Sequence, residues 1–173
     1  MSSKPSDADV PSVPICSSPP CYAAEFPGYF GEGAERVNPV LIDGLNALLE
    51  AERAGAKVLA ILRDGLDARS PQRGLLARLQ KDEGANAVLL YKTIRRLGGM
   101  ASHDTGAFVQ KTLAVDGLAA RLAFLNKGQA WVVRKIDQVL PEVEDEAARA
   151  MLVEMRVSHL DNIAACEALL AMG

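Results

Sequence analysis

The sequence predicts an all-α protein organised as a four-helix bundle, and three observations carry that expectation. Four segments of similar length repeat apolar side chains at steps of three and four, the period of a helix packed along partner helices. No stretch alternates in the manner of a half-buried strand. Ala and Leu are abundant while aromatic residues make up 5% of the 173 residues, a mixture suited to helix-on-helix packing.

Residues 1–37 form a domain apart in composition, a Pro-rich arm holding six of the nine prolines. Its first residues read as unstructured. From Cys16 to Phe30 the text changes, and Tyr22, Phe26, Tyr29 and Phe30 read as extended chain laid against the helices. The rival reading is a detached tail in which Cys21 and Glu25 act.

Residues 38–173 form the bundle domain. Asn38 predicts an N-cap and Pro39 a first helical position, where its missing N–H is harmless. The first seam is Leu41, Leu45, Leu48, Glu52, Gly55, Leu59 and Leu62, with Gly65 expected to end the helix in the left-handed conformation. Ser70 and Pro71 repeat the opening, and Leu76, Leu79, Glu83, Asn86, Leu90, Ile94 and Leu97 form the second seam, stopped by Gly98–Gly99. A connector over residues 98–115 contains one short helix, Thr105 to Leu113, capped by Asp104.

Asp116 is expected to cap the third long helix, whose seam is Leu118, Leu122, Leu125, Gln129, Val132, Ile136 and Val139, ended by Pro141. The fourth opens on Glu142, Glu144, Asp145 and Glu146, as the helix dipole favours, and runs through Leu152, Met155, His159, Asn162, Cys166 and Leu169. Helices of about 25 residues are roughly 38 Å long and can share one continuous core. The connector is long enough to traverse that length, so a crossover is allowed, with an up-down-up-down bundle as the alternative.

Charge and composition exclude several classes of function. A net charge of −3 and a pI near 5.4 leave no basic footprint for nucleic acid. No apolar run reaches the roughly 20 residues a membrane crossing needs, and no secretory leader is visible, so the expected location is the cytoplasm. Cys16, Cys21 and Cys166 are too few and scattered for a disulfide framework. No phosphate loop, zinc pair or Ser/His/Asp set appears.

What chemistry the chain carries lies at the waist of the bundle. Glu52, Glu83, Gln129 and His159 stand near the midpoints of the four long helices, each in a seam position otherwise apolar. Carboxylates in a dry core must bind a cation, pair with one, or take up a proton. The layout is that of ferritin-like di-metal carboxylate proteins, in which two helices give one Glu each and two give Glu-x-x-His. Here Glu52 fits the lone Glu. Asn86 replaces the His three residues after Glu83, Gln129 replaces a Glu, and Arg156 stands three residues before His159 where a Glu belongs.

Two carboxylates cannot balance the +4 of two divalent ions. The favoured expectation is therefore a metal-free polar core in which Arg156, with Arg121 or Lys57, neutralises Glu52 and Glu83, and Asn86, Gln129, His159 and Asn162 complete the network. The alternatives are one iron or manganese ion on Glu52, Glu83 and His159 and, last in order, a two-metal centre. Gly128 predicts a close helix approach or room beside Trp131. Leu49, Leu89 and Val133, outside the seams, suggest a homodimer.

The runs RLAFLNKGQAWVVRKI (Arg121 to Ile136), SHLDNIAAC (Ser158 to Cys166) and SPPCYAAEF (Ser18 to Phe26) resemble an uncharacterised family of bacterial ferritin-like domains, some fused to DJ-1/PfpI-like domains. The resemblance covers nearly everything after residue 15 and implies the ferritin-like fold without an activity. Relatives tend to have His-Glu where this chain has Ala24-Glu25, which weakens a metal role further. Two functions follow as expectations. One is a bundle that binds a small molecule or a partner through its polar core. The other is a metal-dependent oxidase, peroxidase or iron-handling protein.

Overall fold

The computed structural model describes residues 38–171, and the expectations for the N-terminal arm, including Cys21 and Glu25, lie outside the described residues. The elements are α1 (Pro39–Asp64), α2 (Pro71–Arg96), α3 (Phe108–Leu113), α4 (Leu118–Val139), a 3-10 turn at Leu140–Glu142 and α5 (Glu146–Ala171). Among the described residues no strand occurs, and no helix is long and apolar enough to cross a membrane. The protein is all-α.

Local chemistry sets most boundaries. Asn38 Oδ1 accepts from the Leu41 amide at 3.2 Å, and Pro39 follows as the first helical residue. Gly65 departs from expectation: its φ is −78°, not left-handed. The Arg73 guanidinium explains this, because it donates to the Arg63 and Leu66 carbonyls at 2.8 and 2.9 Å and satisfies the chain end otherwise. Gly98, at φ +77°, supplies the left-handed turn after α2.

Neither Asp104 nor Asp116 caps a helix. The short helix starts at Phe108, after Ala107, and α4 follows Gly117 at φ +80°. Asp145 does cap α5, accepting from the Ala148 amide at 2.7 Å while Arg96 grips both its oxygens at 2.6 and 2.9 Å. That grip, with the amide bond, holds the Asp145 carboxyl down at about 2.

Two apolar layers reveal the chain direction. One joins the start of α1 (Leu41, Leu45, Leu48) to the ends of α2 (Leu90, Ile94) and α4 (Ile136, Val139) and the start of α5 (Leu152, Met155). The other joins the end of α1 (Leu59, Leu62) to the starts of α2 (Leu76, Leu79) and α4 (Leu122, Leu125) and to Cys166 of α5. Helices α2 and α4 therefore run parallel, and the connector between them traverses the bundle. Helix α1 neighbours α2 and α4, while α5 neighbours the same two. This is the crossover topology; the up-down-up-down alternative is excluded.

The crossover is tied to α1 by polar bonds. Asn46 Nδ2 donates to the Met100 carbonyl at 2.9 Å and its Oδ1 accepts from the Ser102 amide at 2.7 Å. Ser102 Oγ donates to Glu50 at 2.5 Å, and Arg53 donates to the Ser102 carbonyl. Further along, Phe108 stacks on Phe124 with ring centroids 5.5 Å apart and lies over Gly128. A Cβ at Gly128 would meet the ring at 2.6 Å, so the glycine marks a close approach. Gly128→Leu should therefore cost about 1–3 kcal/mol through overpacking. An unchanged urea midpoint would show that the ring can move aside freely.

The apolar residues read as a dimer face divide in the structure. Leu49 and Val133 are buried within the bundle, because α1 and α4 each pack against two other long helices as well as α3; Leu89 is exposed.

Candidate functional site

Between the two apolar layers lies a polar one. Glu52, Glu83, Gln129, His159 and Asn162 are each no more than 4% exposed, and Asn86 is half-buried. Glu52 Oε1 and His159 Nε2 lie 3.0 Å apart, and Asn86 Nδ2 donates to Glu52 Oε2 at 3.1 Å. His159 Nδ1 lies 2.9 Å from the Met155 carbonyl. A carbonyl can only accept, so Nδ1 carries a proton and Nε2 faces the carboxylate. Two lone pairs at that separation would repel, which favours a second proton on the ring. Burial lowers the affinity of His159 for that proton, but Glu52 and the Met155 carbonyl outweigh it and raise the pKa above 6.5. The two atoms are placed as an ion pair, charged when the ring is protonated, without the alignment of a hydrogen bond, and neither has another partner among the described residues.

Glu83 forms the second half of the layer. Gln129 Nε2 donates to its Oε1 at 3.0 Å, while Oε2 occupies the space that a Cβ on Gly55 would fill. Gly55 is thus the cradle that lets a carboxyl fit between α1 and α2. Burial, followed by the charges of Glu52 and Asp82, raises the Glu83 pKa well above 4.5. A neutral carboxyl beside an amide satisfies the site without a buried cation. Cys166 sits near Glu83; burial first, and the Glu83 carboxylate once it has ionised second, push its thiol up to about 11.

The expected arginine neutralisation does not occur. Arg156 turns outward to Asp137, Nε to Oδ1 at 2.7 Å. Arg121 donates to the Val115 and Leu113 carbonyls at 2.7 and 2.9 Å, at the C-terminal end of α3. Lys57 is exposed. Desolvating a guanidinium is costly, and each arginine finds carboxylate or free helix carbonyls nearer water. Asn162 belongs to the buried layer, but its Nδ2 has no partner among the described residues.

A cavity of about 430 Å³ reaches the polar layer between α1, α4 and the crossover. Its floor includes Glu83 and Gln129, its walls Phe108, Phe124 and Val132, and charged Glu50, Lys127 and Arg134 also line it. Trp131 is 42% exposed and lines this cavity. The cavity escapes a seam-based reading because the crossover supplies one wall. Gly55, one turn from Glu52 in a Leu seam, was the available signal that something bulky stood opposite.

A two-metal centre does not fit these residues. Of its six ligand positions, 86 and 129 hold neutral amides and 156 a cation directed elsewhere, leaving two carboxylates against four positive charges. Among the described residues, no group of three or more His, Cys, Asp and Glu is placed to hold a metal ion. Crossover topology and a polar layer at mid-bundle define a ferritin-like bundle.

Solved structures agree on that fold. A dodecameric thioferritin of Bacteroides fragilis, described as bacterioferritin-related, superposes with a TM-score of 0.65 at 15% identity, over 77% of this chain and 85% of its own. A ferritin-like, diiron-carboxylate protein of Bacillus anthracis does so at 0.57 and 17% identity, over 80% and 95%. No curated protein matches the sequence. Residues 39–168 match the family described as "Domain of unknown function (DUF6306)", and the chain belongs to that family.

Proposed function

We propose that this bundle is a small-molecule-binding protein whose polar core works without a metal. The observation that carries the reading is Gln129: an amide stands in a carboxylate-ligand position, bonds Glu83, and lines the cavity between α1 and α4. The volume of that cavity lies within the range of roughly 300–1,000 Å³ usual for ligand pockets, with apolar walls and few polar groups. Glu52 is already paired with His159 and Asn86, so the core has no need of an added cation. The diiron-carboxylate neighbour supports the alternative, in which iron or manganese on Glu52, Glu83 and His159 serves oxidase, peroxidase or iron-handling chemistry.

Mass spectrometry under non-denaturing conditions, on protein purified without chelator, separates the two. The expected result is an organic adduct on the chain, with iron and manganese well below one per chain. Ala47→Phe, which fills the cavity, should abolish the adduct. Metal near one per chain, lost in Glu52→Ala and His159→Ala, would establish the alternative.

A further inference from the structure

Resting on the binding function just proposed, we infer that the ligand is an aromatic molecule presenting an N–H or O–H donor to Gln129 Oε1. Gln129 is 2% exposed and its amide nitrogen is committed to Glu83. Its Oε1 has no partner among the described residues. A buried acceptor left without a donor is costly, and side chains in native cores rarely remain so. Asn126 Oδ1 and Asn162 Nδ2 also lack partners, but neither residue lines the cavity; Gln129 does. Oε1 itself is closed to water, so a molecule entering from the α1–α4 side supplies the missing donor by a small shift of the Gln129 amide, which lines the cavity.

The walls specify the rest of that molecule. Phe108 and Phe124 present stacked rings, and Leu125 and Val132 add aliphatic surface, so a flat apolar body fits. A ligand without a donor would reach the same walls but leave Oε1 unsatisfied. Discrimination then falls on the head group, since a site built around a buried polar atom rejects analogues that cannot pair with it.

Trp131, the sole tryptophan, lines the cavity and reports binding by fluorescence. The probes are benzamide, which carries N–H donors, and methyl benzoate and N,N-dimethylbenzamide, which carry none. Benzamide should bind at least about tenfold tighter than either. In Gln129→Met, confirmed as folded by circular dichroism, that preference should shrink to about threefold or less. The comparison between probes needs no variant, so it decides even if Gln129→Met fails to fold. Equal binding of all three to the native chain would overturn the donor requirement and leave the binding function standing. If none of the three perturbs Trp131, the binding function and the donor requirement fall together.

Discussion

Replacing His159 by leucine should lower folding stability by about 3–5 kcal/mol, the usual cost of removing one member of a buried ion pair. Glu52 is fully buried, and among the described residues His159 is the group that faces its Oε1. Without the imidazole, Asn86 still donates to Oε2, but one amide does not replace a proton-bearing ring. Adding Glu52→Leu to the same chain should recover much of the loss, because two apolar groups then replace both partners. Urea unfolding of the two single variants and the double variant measures the coupling directly. A loss under about 1 kcal/mol for His159→Leu would mean the contact contributes little.

Stability should fall as pH rises from about 5 to 9, the reverse of a protein held by depressed carboxylates. Both buried titrating groups act in the same direction. Glu83 holds, in the folded state, a proton the unfolded chain releases near 4.5, so its contribution is complete below that value and is lost towards the raised one. His159 contributes fully below 6.5 and loses its contribution as pH passes its raised folded value. Glu83→Gln should flatten the decline, because glutamine stays neutral while keeping the shape of the side chain and an acceptor for Gln129. Urea midpoints at about pH 5, 7 and 9 for both proteins test this. A native chain whose stability is level or rising over that range would show that Glu83 is not held protonated.

Periodicity accounts for most of what was legible beforehand. Helix seams follow from side-chain spacing along one element, which is why all four long helices and the buried depth of Glu52, Glu83, Gln129 and His159 could be read residue by residue. Caps were legible where the side chain bonds its own helix, as at Asn38, and missed where a distant group intervenes, as Arg73 does near Gly65. The charge arithmetic sent Arg156 and Arg121 into the core, whereas both side chains bond elsewhere. A seam position reports depth; it does not say which way a long flexible side chain three residues away will turn.

By itself, the sequence determined an all-α bundle with a polar waist, because hydrophobic spacing is a property of each helix alone. The tertiary structure decided the crossover, the seating of Glu83 against Gly55, the ring of Phe108 over Gly128, and the cavity that ends on Gln129. Those features depend on which helix ends meet and which partners lie nearest to each charge. Such distances exist only once the chain has closed upon itself.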